Sequence, residues 1–486
     1  VEQSVRSIVV DEQVKQRMNV VFNLLDECAH LHFVGIGGAG MCPIAEMCLA
    51  RGLKVTGSDL EDSQTTKLLR QGGATVHIGH QASHIKGANV IVCSTAIGDD
   101  NPEVCQAQKD DIARVTRAEA LGWLMRDQEG IGCGGTHGKT SSTAILGALA
   151  TAQDWDPTVV VGGRPLNKTS NLQLGKGNKV IVEADESDGS FLKLPCKAVL
   201  VTTIDDDHLE HYGSMENLES HFLRYINGVG DDGLAVLCRD DEGLRKLLPQ
   251  VTVPYVTYGQ AALSDYRLEE ISVNGMKTTF SLTLPSGEKV KELTVCAPGV
   301  HYALNSAGCC ALVHKLGGNS QKLSAGLADY QGVERRFQRL GSARGIEVID
   351  DYGHHPTEVE AVLQAAKEAL PGRRLVVAFQ PHRQSRTALL AKALGRSFGA
   401  ADLVFLLPIY RPAGEKSENK VSAELVYEEL SQRHPYVLYV EQQELTRVVP
   451  MIVSQLKEND CLLTLGAGTV TKLGGMVLQY LKRGAV

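Results

Sequence analysis

Three features are missing from the 486-residue chain, and each absence excludes a class of protein. Positive charge is not in excess: 49 Lys and Arg stand against 57 Asp and Glu, a net charge of −8, so nothing indicates a nucleic-acid partner. The 12 cysteines include no C-x-x-C pair, which argues against a disulfide framework or a zinc site and predicts reduced, mostly buried thiols in a cytoplasmic protein. No apolar run approaches the ~18–20 residues that a membrane span needs.

The chain does have the length for several domains. At ~150 residues per domain, 486 residues are enough for about three. Short apolar stretches alternate with helix-forming stretches along most of the sequence, which favours an α/β fold. We predict domains over residues 1–126, 127–340 and 341–486. An amphipathic helix is predicted over residues 14–25, and no chemistry can be assigned to it.

The most informative stretch is a glycine-rich turn at residues 132–138 that runs into G-K-T and then into helix formers. Glycines let the backbone approach a phosphate chain closely, and the following helix points its positive end at the anion. Lys139 can reach the outer phosphates, and the Thr140 hydroxyl can bind Mg²⁺. The strict pattern requires glycine where Cys133 stands, so a glycine-rich turn with a surface lysine is the alternative.

A second glycine motif, G-x-G-x-x-G at residues 35–40, lies near the N-terminus. It follows a predicted strand over residues 30–34 and precedes a predicted helix over 41–51 and a predicted strand over 53–56. Asp59 lies ~20 residues after the glycines, as in dinucleotide-binding folds, so an NAD-dependent oxidoreductase is one interpretation. A helix N-terminus behind glycines binds any diphosphate, however, including that of a UDP-sugar.

Acidic residues follow a buried-looking strand predicted over residues 179–184. Because ATP chemistry needs a cation with oxygen ligands, we expect at least one of them to bind Mg²⁺ near Lys139, although a solvated acidic turn is the alternative for any single one. The acids are Glu183, Asp185, Glu186 and Asp188. The next predicted strand, over residues 198–203, runs into a second polar segment that contains His208.

Two further pairs of residues fit a binding role. His301 and Asn305 are four apart and share one face of a predicted helix, although capping and packing explain such a pair equally well. Arg383 and Arg386 follow a predicted strand over residues 374–379, where a pair of guanidinium groups can bind a carboxylate in a bidentate manner.

Together these motifs resemble the Mur ligase family from about His32 to the C-terminus. The resemblance depends on eight short motifs in the family's order, and any one alone would be weak. They lie at residues 35–41, 135–140, 183–188, 207–208, 301 with 305, 335–338, 350–357 and 380–383. The loop at residues 466–469 departs from the family pattern, because Thr469 stands where an acidic or amide residue is expected.

The resemblance implies a three-domain α/β protein. The N-terminal domain is expected to be Rossmann-like and to bind a UDP-sugar, the central domain to be a P-loop ATPase, and the C-terminal domain to be Rossmann-like and to carry the amino acid. The implied reaction is ATP- and Mg²⁺-dependent joining of L-alanine to the carboxylate of UDP-N-acetylmuramate through an acyl phosphate, in peptidoglycan precursor synthesis. The alternative is a ligase of the same family that attaches a recycled tripeptide. We expect a monomer or weak homodimer.

The resemblance also implies residue roles for ATP and its metal. The catalytic residues are expected to be Lys139, Glu183 and His208, and the metal ligands Thr140, Glu183 and His208. The ATP contacts are expected to be Gly135, Thr136, His137, Gly138, Lys139, Thr140, Ser141, His301, Asn305, Arg336 and Asp351.

The remaining implied roles concern the other two substrates. The UDP-sugar contacts are expected to be Gly35, Gly37, Gly38, Ala39, Gly40, Met41, Asp59, His77, Ser94 and Thr95. The L-alanine contacts are expected to be Tyr352, His382, Arg383 and Arg386. The base that removes a proton from the amine stays open, with His354 and His355 as candidates.

Overall fold

Alternating strands and helices build the first sheet. A computed structural model describes residues 2–94, 96–412 and 421–483, with side chains from residue 12 onward. The sheet is parallel, in the order β3-β2-β1-β4-β5. Its strands are β1 (His30–Val34), β2 (Lys54–Asp59), β3 (Thr75–Ile78), β4 (Val90–Cys93) and β5 (Ala113–Thr116). The helices are α1 (Glu2–Asp26), α2 (Cys42–Ala50), α3 (Gln64–Gln71), α4 (Pro102–Lys109) and α5 (Arg117–Met125).

The strand order explains where a ligand site can form. All five residues of β1 are buried, as expected for a central parallel strand covered by helices on both faces. The chain runs outward from β1 to β3 on one side and returns to β4 on the other, so the order reverses between β1 and β4. Ligands bind at the carboxyl ends of strands at such a reversal, and the first glycine motif follows β1 there.

A second set of parallel strands surrounds the other glycine motif. These strands are ordered β12-β11-β10-β6-β9-β7-β8, and β8 alone among them is antiparallel to its neighbour. The strands are β6 (Glu129–Gly134), β7 (Thr158–Val160), β8 (Leu172–Gln173), β9 (Lys179–Glu183), β10 (Cys196–Val201), β11 (Leu234–Cys238) and β12 (Tyr255–Gly259). The helices are α6 (Lys139–Ala152), α7 (Leu209–Tyr212), α8 (Met215–Asn227) and α9 (Glu242–Leu247).

The next segment carries three strands and two helices, and the third sheet follows. The segment comprises β13 (Tyr266–Asn274), β14 (Lys277–Thr283), β15 (Lys289–Val295), α10 (Val300–Lys315) and α11 (Leu323–Asp329). The third sheet's strands are β16 (Gln338–Ala343), β17 (Ile346–Asp351), β18 (Arg374–Phe379), β19 (Leu403–Leu406), β20 (Val437–Tyr439) and β21 (Asp460–Leu465). Its helices are α12 (Pro356–Ala369), α13 (Gln384–Leu394), α14 (Glu424–Ser431), α15 (Leu445–Gln455) and α16 (Thr471–Arg483).

The third sheet has the order β16-β17-β21-β18-β19-β20 and is parallel except for β16. One apolar core lies beneath it, with Val348, Val376, Phe405 and Leu462 almost wholly buried. The predicted α/β class is confirmed. The described residues form two units, 1–267 with 308–326 and 268–307 with 327–486, and the predicted domain boundaries at 126 and 340 stay predictions.

Several sequence expectations can be compared with these elements. The helix predicted over residues 14–25 is longer in the structure, because α1 begins at Glu2. The predicted strand over 53–56 is also longer, because β2 continues to Asp59. All twelve cysteines are free and ten are buried, which confirms that part of the prediction. Within the described ranges, no helix combines the length and apolar character needed to cross a membrane.

Candidate active site

Hydrogen bonds fix the first glycine loop to the end of β2. The backbone N–H groups of Gly35 and Ile36 donate to the Ser58 carbonyl at 2.9 and 3.0 Å. The Gly37 N–H donates to Asp59 Oδ2 at 2.8 Å, and a Cβ at position 37 would lie 2.9 Å from the same oxygen. Asp59, which was expected to contact the UDP-sugar, therefore already supports the loop.

A buried carboxylate lies beside this loop and was missed by the sequence analysis. Glu103 is fully buried, and Ser58 Oγ donates to its Oε2 at 2.5 Å. His80 Nδ1 lies 3.1 Å from Oε2, and His84 Nδ1 lies 2.9 Å from Oε1. His32 Nε2 is 3.7 Å from Oε1. We call these five residues the Glu103 cluster.

Two opposing effects set the ionisation of Glu103. Burial opposes the charged form, but contacts with His32, Ser58 and His80 outweigh it and lower the Glu103 pKa to about 2. The cluster therefore holds a carboxylate at neutral pH. Of the expected sugar contacts nearby, His77 stacks on His84 with ring centroids 4.1 Å apart, and Ser94 lies against Gly35. Thr95 lies outside the described residues.

The second glycine loop needs glycine at two positions. Gly135 has φ of +124°, and a Cβ there would lie 2.1 Å from Thr202 Oγ1. Gly138 has φ of +83° and immediately precedes α6. The Thr136 N–H donates to the Thr203 carbonyl at 2.9 Å. The loop is thus fixed against the end of β10, with the N-terminus of α6 directed as a phosphate site requires.

Lys139 is held by its own loop and by a buried acid. Its Nζ donates to the carbonyls of Gly135 at 2.8 Å and Thr136 at 3.1 Å, and to Glu186 Oε1 at 2.8 Å. Burial opposes the charged form, yet Glu186 and Asp185 outweigh it and raise the Lys139 pKa. The lysine is therefore a cation whose counter-ion is Glu186, one of the acids that the sequence placed at the end of a strand.

The expected metal ligands lie around the same loop. Thr140 Oγ1 donates to Glu183 Oε1 at 2.9 Å, and the Gly162 N–H donates to Glu183 Oε2 at 2.7 Å. His208 has φ of +58°, and its Nε2 lies 3.8 Å from Glu186 Oε1. A hydroxyl and a carboxylate in direct contact are oxygen donors of the kind that Mg²⁺ prefers, so the donor set fits that ion.

Two other expected ATP contacts in this unit have defined positions. His137 Nε2 lies 2.9 Å from Asp205 Oδ2, which fixes its ring at the loop. Ser141 is buried in the first turn of α6. Polar groups at the start of α6 are thus positioned by contacts with the segment that follows β10, without a ligand.

In the second unit, Tyr352 is covered by two arginines. The guanidinium carbons of Arg335 and Arg336 lie 4.7 and 5.0 Å from the centre of its ring. The preceding Asp351 accepts from the N–H groups of Phe337 at 2.6 Å and Gly353 at 2.7 Å. Burial raises the Asp351 pKa to about 6 despite those bonds. Arg335 was not singled out as a site residue by the sequence analysis.

Aromatic rings continue from Tyr352 along the carboxyl edge of the third sheet. The Tyr352 and His354 rings are 5.4 Å apart, and the His354 and His382 rings 5.7 Å apart. His382 stacks on Tyr410 at 5.6 Å, and the Arg383 N–H donates to the Tyr410 carbonyl at 2.9 Å. Three of the four expected L-alanine contacts thus lie close together, while Tyr410 was missed.

The fourth expected L-alanine contact, Arg386, and the expected ATP contact Asn305 are buried, whereas the expected ATP contact His301 is half-buried. Arg386 is buried on α13, whose first turn follows Arg383. His301 lies against Gly299, where a Cβ would come within 2.8 Å of its ring, and burial lowers the His301 pKa to about 4. The imidazole is therefore neutral at pH 7. Asn305, one helical turn later, is also buried.

Comparison with known proteins decides the family. Three family models match successive stretches of the chain: "Mur ligase family, catalytic domain" at residues 30–129, "Mur ligase middle domain" at 133–313 and "Mur ligase, glutamate ligase domain" at 335–468. This chain belongs to the Mur ligase family.

The Mur ligase also resembles individual proteins over most of its length. It is 42% identical to a UDP-N-acetylmuramate–L-alanine ligase of Geotalea daltonii, over 93% of this chain and 98% of that protein. The crystal structure of UDP-N-acetylmuramate-alanine ligase MurC from Thermotoga maritima has a TM-score of 0.79 and 28% identity, covering 93% of this chain and 99% of that one. A murein peptide ligase Mpl from Psychrobacter arcticus shares the fold, with a TM-score of 0.72 and 21% identity over 94% and 100% of the two chains.

The residues of the Mur ligase that sequence reasoning missed share one property. Each contacts a residue that is distant in sequence: Glu103 contacts His32 in the first unit, and Arg335 and Tyr410 contact Tyr352 and His382 in the second. None lies in a glycine loop or in the acidic turn. Two of them could have been found from their position in the sequence, because Glu103 lies in the first turn of the helix after β4 and Tyr410 follows β19.

Proposed function

We propose that this Mur ligase joins L-alanine to the carboxylate of UDP-N-acetylmuramate with consumption of ATP, in peptidoglycan precursor synthesis. The observation that carries the proposal is the presence of two different glycine loops in one unit. One has a lysine and carboxylates around it, as a nucleoside triphosphate with a metal requires, and the other has a helix N-terminus and no lysine or arginine within its own motif. The name and near-complete overlap of the Geotalea daltonii relative support the same reaction.

The chemistry requires the carboxylate to be activated first. A carboxylate oxygen attacks the γ-phosphorus of ATP, the bond to the β–γ bridging oxygen breaks, and ADP leaves. The amine nitrogen of L-alanine then attacks the acyl carbon, and the C–O bond to phosphate breaks as the amide forms. The amine loses its proton in this second step. Both partners in the first step are anionic, so positive groups must offset the developing charge.

Lys139 supplies one such group. In the structure its charge is directed to Glu186 and to two loop carbonyls. Phosphate oxygens on the glycine loop would compete for the same three ammonium donors. We therefore assign to Lys139 the binding of the β- and γ-phosphates, and to Glu186 the positioning of the lysine before ATP arrives.

We propose that Thr140, Glu183 and His208 hold Mg²⁺. Thr140 and Glu183 offer oxygen donors in contact with each other, whereas the imidazole of His208 is a less usual ligand for this ion. The ion, when bound, neutralises charge on the phosphate oxygens. The assignments of the other ATP, UDP-sugar and L-alanine contacts are part of the same proposal, as are the cytoplasmic location and the monomeric or weakly dimeric state.

The test is phosphate release from ATP with Mg²⁺ and UDP-N-acetylmuramate, compared with L-alanine, with the tripeptide and with no amine. Release that requires L-alanine is the expected result. Release with the tripeptide alone would move the enzyme to the recycling reaction and leave the fold and the chemistry unchanged. No release with either amine would overturn the proposal.

A further inference from the structure

Arg117 has a fixed position beside the first glycine loop and no assigned role. It is the first residue of α5, directly after β5. The start of that helix is a capping box: the Glu119 N–H donates to Thr116 Oγ1 at 3.3 Å, and the Thr116 N–H donates to Glu119 Oε2 at 2.8 Å. Because both bonds fix the backbone around Arg117, its side chain leaves the helix from a defined place at the carboxyl edge of the sheet.

The Arg117 side chain packs on the last glycine of the loop. A Cβ at Gly40 would lie 2.8 Å from Arg117 Cδ and 3.0 Å from Nη1, so glycine is needed there for the arginine to take this place. Its Nη2 is 3.7 Å from Asp185 Oδ2, a distance at which charges attract but no hydrogen bond forms. Among the residues that the structure describes, Asp185 is its ionic partner. About a quarter of the side chain remains exposed.

The charges around the loop show what Arg117 adds. Residues 35–41 and the first turn of α2 contain no lysine or arginine, so the loop's own contribution to anion binding is its N–H groups and the partial charge of the helix end. Arg117 places a full positive charge against that loop.

We propose that Arg117 binds an anionic oxygen of the nucleotide sugar on the first glycine loop, with Asp185 positioning the guanidinium until that oxygen arrives. The inference rests on the proposed function, because it takes UDP-N-acetylmuramate as the ligand. A guanidinium has five donors in a fixed plane, which suits a diphosphate or a carboxylate equally. Asp185 lies two residues from Glu183, so this arginine also joins the sugar loop to the acidic turn at which ATP is proposed to bind.

Calorimetric binding of three ligands distinguishes the two sources of the oxygen. UDP and UDP-N-acetylglucosamine carry the diphosphate without the carboxylate, and UDP-N-acetylmuramate carries both. We expect Arg117→Ala to weaken binding by about 10- to 100-fold, as for a lost hydrogen bond to a charged group. A loss for all three ligands identifies the diphosphate, and a loss for UDP-N-acetylmuramate alone identifies the carboxylate.

Matched variants separate this role from a structural one. Arg114→Ala removes a nearby arginine that pairs with the exposed Asp99 at 2.6 Å, and it should leave all three affinities unchanged. Arg117→Lys keeps the charge but loses the planar donors, so its affinity should lie between wild type and Arg117→Ala. Gly40→Ala should displace the Arg117 side chain. Because both changes act through one contact, the double variant Gly40→Ala/Arg117→Ala should lose less binding free energy than the sum of the two single losses.

The outcomes are distinct. If wild type binds UDP-N-acetylmuramate and Arg117→Ala binds all three ligands equally well at an unchanged melting temperature, the inference is wrong and the proposed function stands. If wild type binds none of the three, the proposed function fails with it. A fall in melting temperature with full affinity in the remaining folded protein would assign Arg117 to stability and would also overturn the inference.

Discussion

The two glycine loops of the first unit follow the same plan and differ in their charges. Each connects a buried parallel strand to a helix and directs backbone N–H groups at the gap between them. In the loop at Gly35 the nearest carboxylate, Asp59, accepts from the loop itself, and the cation comes from Arg117 on another helix. In the loop at Gly135 the cation, Lys139, is part of the motif, and it pairs with the buried Glu186.

This difference matches the ligands proposed for the two loops. A nucleoside triphosphate with Mg²⁺ needs a cation and carboxylates that can bind the metal. The diphosphate of a nucleotide sugar takes no part in the proposed bond changes and needs only groups that bind it. Glycine spacing alone therefore indicates phosphate binding, and the neighbouring charges decide which phosphate compound and which chemistry.

The largest effect should come from removing the lysine that distinguishes the second loop. Lys139→Ala is expected to lower kcat by about 1,000-fold or more, since phosphoryl transfer depends on charge stabilisation. Binding of UDP-N-acetylmuramate should survive, because the first loop is untouched. Phosphate-release kinetics and calorimetry measure the two effects. Lys197→Ala, which removes an exposed lysine paired with Asp232, should change neither. Retained turnover in Lys139→Ala would remove the proposed distinction between the loops.

The next largest effect concerns the acids of the second loop. Glu183→Gln keeps the size of the side chain and removes the charge that faces Thr140. We expect kcat to fall by about 100-fold and the Mg²⁺ concentration needed for half-maximal rate to rise. A titration of rate against Mg²⁺ measures both. An unchanged Mg²⁺ requirement would contradict the assignment of Glu183 as a ligand.

A smaller effect, confined to the first loop, should follow from Gly37→Ala. The added Cβ would lie 2.9 Å from Asp59 Oδ2, so the loop must move away from the end of β2. The KM for UDP-N-acetylmuramate should rise about 10-fold while the KM for ATP stays constant. Gly475→Ala, which adds a methyl group where no neighbour lies within 4 Å, is the control. Equal changes in both KM values would mean that the loops do not act separately.

The smallest effect should be on stability, at the Glu103 cluster that supports the first loop. Glu103→Gln removes a charge that buried polar groups surround, and we expect the free energy of unfolding to fall by about 1 kcal/mol at pH 7. Urea unfolding of the two proteins at several pH values measures the difference. A Glu103→Gln protein as stable as wild type at pH 7 would contradict the role of the carboxylate.

The pH dependence of that difference has a defined sign. The Glu103 pKa is about 2 in the folded chain against an ordinary 4.5, so the carboxylate stabilises the fold above about pH 4.5. Its contribution is lost as the pH falls from 4.5 toward 2. The gap between wild type and Glu103→Gln should therefore close over that range, and a gap that widens there would be inconsistent with a depressed pKa.

Several parts of the fold and site could be predicted from local sequence. The β-loop-α units at Gly35 and Gly135 and the α/β class follow from residues close together in the chain. The contact of Thr140 with Glu183, 43 residues further on, was expected from the chemistry of ATP and from the family resemblance, not from local sequence. Strand ends were less accurate: β2 runs on to Asp59, because pairing with β3 continues the strand beyond the residues whose own pattern favours it.

The sequence by itself determined which backbone segments could receive a phosphate, because glycines, a following helix and a lysine act within a few residues of one another. The tertiary structure alone decided the charges that meet those segments. Glu186 reaches Lys139 from 47 residues away, and Arg117 reaches Gly40 because the strand order brings β5 to the same carboxyl edge as β1. Electrostatic pairing depends on distance in space, and strand order, which sets that distance, is not written in any short motif.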